Sequence, residues 1–179
     1  MQQPVEQQLS DVKDLIDGDR NNLWHHLKPH ACFDTQEQMI IVAADGLVVE
    51  DIRGRKYLDA TAGGVWSVLA GYGRDDIADA VCAQMKKMPY FAGVYGTVPA
   101  IRFAGKLLEK LPKMGKVFFS NSGSEANEKA FKMVRQAAHI IPERKGKYKI
   151  LYRNRDYHGT TMGAMSASGQ DLRKKDFGP

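Results

Sequence analysis

Long apolar runs are missing from this chain, which removes one large class of functions at the outset. No stretch of its 179 residues approaches the roughly 18 apolar positions that a membrane-crossing helix needs. Cysteine is scarce as well. Cys32 and Cys82 stand alone, with neither a Cys-x-x-Cys pair nor the Cys/His spacing of a metal site, so no metal is expected. One disulfide is arithmetically possible, but reduced thiols in a cytoplasmic protein are the expectation. The opening stretch MQQPVEQQLSDVKDLIDGDR is polar and acidic and lacks the apolar segment of a secretory signal. Charge of one sign never forms a block either. The net charge of +5 is spread along the chain, and the densest cationic stretches, 144–149 and 173–175, are short and without interleaved aromatics. Neither nucleic acid nor membrane is expected as a partner; such clusters suit solvated loops or a surface that draws in small anions.

What is present is the composition of a soluble globular protein, 43% hydrophobic and 26% charged. The length suffices for one ordinary domain with a core. Val5, Leu9, Val12 and Ile16 recur at a three-to-four spacing and predict a helix that Gly18 ends. From Met39 the run MIIVAADGLVVEDIRGRKYLDA, broken at Asp45-Gly46 and Arg53-Gly54-Arg55, predicts a β-meander. The glycine-rich TAGGVWSVLAGYGR is expected to be irregular. Helices are predicted over 75–88, 101–111 and 124–139, and short buried strands over 116–120 and 149–153. The final segment is read as loop-rich up to Phe177-Gly178-Pro179. This alternation points to an α/β fold with a parallel sheet. Two strands cannot bury both faces of such a sheet, so the chain is expected to be part of a larger domain.

The chemistry concentrates at Ser120-Asn-Ser-Gly-Ser-Glu125, where a β-like run passes directly into a helix. Ser122 three residues before Glu125 is a capping box, common and purely structural on its own. Gly123 adds something, because a residue without Cβ lets a ligand approach the backbone. The amides of Gly123, Ser124 and Glu125 would then converge on one point, a place for a dianion. A capped helix and a phosphate cradle are both open at this stage. The spacing is neither a Walker loop nor the dinucleotide pattern. A second stretch, NRDYHGTTMGA from Asn154 to Ala164, follows the second predicted strand. It puts Tyr157 and His158 where α/β sheets build their sites, with a ring suited to stacking on a flat ligand.

The segments SNSGSEANEKAFKMVRQ and RDYHGTT, with the upstream DIRGRKYLDATAGGVW, AGYGR and PYFAG, resemble the class III aminotransferases, which are pyridoxal-phosphate (PLP) enzymes of fold type I. The likeness runs from about Leu23 through nearly the whole chain in the family's order. It implies an α/β, fold type I PLP-dependent transferase of which only the N-terminal part is present. Residues 1–69 would form the N-terminal segment of the small domain, and 70–179 the first part of the large PLP-binding domain. It implies pyridoxal 5'-phosphate as cofactor, with Ser122, Gly123 and Ser124 as the phosphate-binding turn and Tyr157 stacked on the ring. His158 takes either a ring-proximal role or a packing role. Trp66 corresponds to a position lining the substrate pocket, and Tyr95 to a loop reaching the other subunit's active site in a homodimer or homotetramer.

No catalytic residue is expected in this stretch. The Schiff-base lysine, the acidic partner of the pyridinium nitrogen and a later phosphate-binding threonine belong to family segments beyond Pro179. Lys116 and Lys129 do not stand in that lysine's context. Within the family, DRNNLWHHLKPH, TAGGVWSVLAGYGR and ILYRNRDYHGTTMGAMSASGQ are most similar to the ω-amino-acid group. There an amine donor such as taurine gives its amino group to a 2-oxo acid, pyruvate, leaving alanine and an aldehyde. An aminomutase or decarboxylase of the same fold, or an inactive binding or interaction fragment, are the alternatives.

Overall fold

The computed structural model describes residues 5–177 apart from 27 and 37, with side chains described from residue 11 onward. It divides into two compact units, Met1–Ala92 and Gly93–Pro179.

The first unit opens with helix α1, Val5–Asn22. The helix continues through Gly18 instead of stopping there. A single interior glycine costs only about 1 kcal/mol relative to alanine, too little to end a helix that still gains hydrogen bonds beyond it. Val12 and Ile16 are half-buried, while the Val5 and Leu9 side chains lie outside the described residues. The Arg20 guanidinium donates to the Phe33 carbonyl at 2.8 Å. That ties α1 to a short 3-10 helix, His30–Asp34, whose Phe33 is buried. The His25 and His30 rings meet Phe33 edge-on, with centroids 5.2 and 5.0 Å away.

The expected meander follows as strands β1 (Ile41–Asp45), β2 (Val48–Asp51) and β3 (Lys56–Leu58), all antiparallel in the order β1-β2-β3. Asp45 pairs with Val48 across a two-residue turn whose Gly46 takes a φ of +58°, the left-handed backbone that such hairpins need. The β2–β3 turn is organised by Asp51, whose carboxylate accepts from the Arg53 and Arg55 amides, the Arg55 Nε and the Tyr57 hydroxyl. Asp51 is only 1% exposed. Helix α2, Asp75–Lys87, places Asp75 and Asp76 in its first turn and Lys86 and Lys87 in its last, which suits the helix dipole.

The second unit holds helices α3 (Val98–Lys110), α4 (Gly123–Ile140), α5 (Met162–Ser166) and α6 (Asp171–Lys174). Helix α3 begins three residues before its expected start, with Pro99 in the first turn, a position where the missing N–H is no loss. The final segment, read as loop-rich, contains the short helices α5 and α6, and its Gly178-Pro179 end lies outside the described residues.

The strands expected over 116–120 and 149–153 carry no ladder; among the described residues the sheet is the three-stranded meander. A strand is defined by its neighbour as much as by its own sequence. Apolar, β-branched patterning specifies extended chain, not the presence of a partner. Leu151 is accordingly 92% exposed. Phe119 stacks on Phe103, with centroids 5.8 Å apart. The Lys129 ammonium donates to the Phe119 carbonyl at 2.6 Å and lies over the Phe118 ring, a structural assignment for that lysine. Cys32 and Cys82 are both free. Among the described residues no helix is long and apolar enough to cross a membrane.

Candidate functional site

The site grows from the start of α4. Ser122 is the N-cap in extended backbone, and its Oγ accepts from the Glu125 amide at 3.2 Å. The reciprocal half of the capping box is shifted by one residue, because the Glu125 carboxylate accepts from the Asn121 amide at 2.9 Å. This corrects the expectation that three amides converge on a ligand, since the cap has taken that of Glu125. The amides of Gly123 and Ser124 stand in the first turn, where a helix leaves its N–H groups without intrahelical acceptors. A Cβ added at Gly123 would meet nothing within 4 Å, so the first turn of α4 is not crowded on that side. The Ser124 Oγ accepts from the Thr160 amide at 3.1 Å. Its own proton remains able to donate, since a hydroxyl accepts and donates at once.

Thr160 belongs to the loop that carries Tyr157 and His158. Ser122, Gly123 and Ser124 are therefore brought together with Tyr157 and His158 in one unit. Further along α4, the Asn127 Nδ2 donates to the His158 carbonyl at 2.6 Å. Glu128 Oε1 accepts from the Thr161 hydroxyl at 2.6 Å and from the Ala164 amide at 3.0 Å. The Thr161 hydroxyl, helped by the Ala164 and Gly163 amides, holds the Glu128 carboxyl below its ordinary range against the opposing effect of burial.

Tyr157 is 52% exposed, and the Arg173 guanidinium lies over its ring, 5.2 Å from the centroid. The His158 Nε2 stands 3.9 Å from the Asp156 carboxylate. Two free amides and a hydroxyl can hold a phosphate dianion, and an exposed tyrosine ring on the loop bonded to them can take a flat aromatic ring. The residues present thus fit a phosphate-bearing aromatic cofactor. Among the described residues there is no cluster of His, Cys, Asp and Glu that could hold a metal ion.

Trp66 belongs to the other unit, on a turn of its own. Ala62, Gly63, Gly64 and Trp66 all take positive φ there, which for Trp66 is +61°. The turn is gathered by Asp59, whose carboxylate accepts from the Thr61 amide and hydroxyl, the Gly63 amide and the Tyr72 hydroxyl. The indole is presented outward, with the residue 76% exposed. Tyr95 sits in the loop before α3, and the hydrogen bonds that join α4 to the Tyr157 loop do not involve it.

Asn127, Glu128 and Asp59 were not singled out from the sequence. A polar Ser-x-x-Asn-Glu stripe at i, i+3 and i+4 marks one helix face and was the available signal for the first two. An Asp two residues before a threonine in a glycine-rich stretch is the signal for a side-chain-held turn.

A family profile described as Aminotransferase class-III matches residues 32–179. The chain is 49% identical over 170 residues to the taurine–pyruvate aminotransferase of Rhodobacter capsulatus, covering 94% of this chain and 37% of that protein. It is 50% identical over 170 residues to the hypotaurine/taurine–pyruvate aminotransferase of Paracoccus denitrificans, covering 95% of this chain and 37% of that protein. The structure matches the crystal structure of a Bacillus anthracis aminotransferase with a TM-score of 0.85 at 39% identity, over 99% of this chain and 38% of that one. The chain therefore spans about 37% of the length of the curated relatives it matches. The fold expected from the sequence, α/β of fold type I with only part of the enzyme present, is the fold these matches carry. With the profile matching most of its length, the chain belongs to the class III aminotransferases.

Proposed function

We propose that this chain is the N-terminal portion of a pyridoxal-phosphate-dependent aminotransferase that moves an amino group from an ω-amino donor, taurine or hypotaurine, to pyruvate. The products would be alanine and an aldehyde. The observation that carries the reading is the roughly half identity, over 94–95% of the chain, to enzymes named for that donor and acceptor. Residues 1–69 belong in this reading to the small domain and 70–179 to the large one. The whole protein works in the cytoplasm as a homodimer or homotetramer.

Pyridoxal phosphate, when bound, supplies the electron sink and the amino carrier. The residues of this chain bind and orient it. The Gly123 and Ser124 amides and the Ser124 hydroxyl take the phosphate, and the positive end of α4 adds about 0.3–1 kcal/mol. The Ser122–Glu125 cap fixes the direction of those amides at no cost to the ligand, because it uses a different N–H. Tyr157 covers one side of the ring and keeps water from it. His158 has its backbone fixed by Asn127 and Ser168, so the point from which its side chain projects is set before the cofactor arrives. Trp66 limits the size of the donor, and Tyr95 contributes to the site of the adjoining subunit. Holding the reacting groups in place is the catalytic share of this half of the site.

A donor screen on the full-length protein tests the reading. Taurine, hypotaurine and β-alanine are offered with pyruvate, and alanine is measured. Alanine from taurine or hypotaurine is expected. Alanine from none of the three, or carbon dioxide release without transfer, would remove the assignment.

A further inference from the structure

Helix α4 does more than present amides to a phosphate. Ser124, Asn127 and Glu128 fall at i, i+3 and i+4, so they line one face of the helix. Every one of them bonds to the segment that carries Tyr157 and His158. The Ser124 Oγ takes the Thr160 amide, Asn127 reaches the His158 carbonyl, and Glu128 gathers the Thr161 hydroxyl and the Ala164 amide. From the other side the His158 amide donates to the Ser168 Oγ at 2.9 Å, and Ser168 in turn donates to the Ala164 carbonyl at 3.0 Å. Both peptide planes flanking His158 are thereby pinned, one by the helix and one by a buried serine.

Two glycines, Gly159 in the loop and Gly163 in α5, show how closely this segment is seated. Gly159, at a φ of +140°, has no room for a Cβ, which would run into the Ser124 side chain and come within 2.8 Å of the Ala164 Cβ. A Cβ at Gly163 would likewise collide with the Glu128 carboxylate. A sideways shift of the loop along α4 would break all four bonds at once. The spacing between the Ser124 end and the Asn127–Glu128 end is the rise of the helix, about 4.5–6 Å for three to four residues.

We infer that Asn127 and Glu128 are positioning residues, which hold the Tyr157–His158 platform at a fixed distance from the phosphate turn so that one rigid element measures out a ligand with a phosphate at one end and a ring at the other. The inference rests on the reading of Ser122–Ser124 and Tyr157 given above. Neither side chain contacts the ligand; both contact the loop and act through it. A phosphate alone needs only the turn, whereas a phosphate joined to a ring needs the turn and the platform in register. Loss of Asn127 or Glu128 therefore separates the two affinities.

The test uses the full-length protein in its cofactor-free form, with Asn127→Leu, Glu128→Gln and Glu128→Leu. Inorganic phosphate and pyridoxamine 5'-phosphate are titrated separately, and amide hydrogen exchange is followed over residues 157–164. Asn127→Leu and Glu128→Leu are expected to weaken pyridoxamine phosphate by about tenfold or more while leaving phosphate within about twofold. Exchange over 157–164 should quicken in both. Glu128→Gln, which keeps an acceptor for Thr161, is expected to lie between wild type and Glu128→Leu.

Unchanged exchange over 157–164 would overturn the inference, as would a parallel loss of both affinities with faster exchange everywhere, which is the mark of a structural role. If the wild type bound neither ligand, the cofactor reading would fall. The exchange measurement would still decide whether these residues seat the loop.

Discussion

Asp59 accepts hydrogen bonds from the Thr61 amide and hydroxyl, the Gly63 amide and the Tyr72 hydroxyl, and none of these contacts involves the residue the turn presents, Trp66. The Thr61 hydroxyl and the turn's amides hold its carboxyl well below the ordinary range. A carboxylate is suited to this task because it offers acceptor sites only. Asparagine in its place would point an N–H₂ group at donors. Asp59→Asn is expected to loosen the 61–66 turn, quicken amide hydrogen exchange there and, with Trp66 limiting the donor as proposed, raise the KM for the amine donor several-fold with a smaller change in kcat. Equal KM and equal exchange would show that the turn holds itself. At this scale the sequence was legible where chemistry and local pattern coincide. Ser122, Gly123 and Ser124 lie next to one another in the chain and announce their turn. Asn127, Glu128 and Asp59 act on residues whose proximity is set by folding, so the residue types alone did not reveal them.

The β2–β3 hairpin makes a pH prediction at the level of an element. Burial alone would raise the Asp51 carboxyl, but Arg55, Tyr57 and the Arg53 and Arg55 amides outweigh it and hold its pKa at about 2 against an ordinary 3.8. A carboxyl lowered on folding stabilises the folded state fully above its ordinary value, and that contribution is lost as pH falls through the folded one. The hairpin is therefore expected to hold down to about pH 4 and to weaken between there and about pH 2. Asp51→Asn should be less stable at neutral pH and should fall less steeply than wild type across that window, since Asp59 and Glu128, also held low, titrate in both proteins, as read by the thermal midpoint at each pH. A gap between wild type and Asp51→Asn that does not narrow between pH 4 and 2 would contradict this. Helices and hairpins were the most legible elements, since their hydrogen bonds close within short stretches. The segments 116–120 and 149–153 were legible as extended chain only, because their pairing depends on neighbours that local periodicity does not describe.

For the whole molecule, the decisive feature is that a capped helix start and an aromatic loop, more than thirty residues apart in the chain, are bonded into one unit. Family membership follows from the length of the match, and the substrate reading from relatives of which this chain spans about 37%. The central claim is narrower, that the Gly123 and Ser124 amides hold the cofactor's phosphate. Gly123→Asp tests it most directly. The new Cβ meets nothing within 4 Å, and an acidic residue in the first turn favours the helix, so the fold should survive. A carboxylate there would repel a phosphate dianion. In the cofactor-free full-length protein, Gly123→Asp is predicted to keep the wild-type thermal midpoint and lose about a hundredfold or more in affinity for pyridoxamine 5'-phosphate. Wild-type affinity in a folded Gly123→Asp protein would contradict the account.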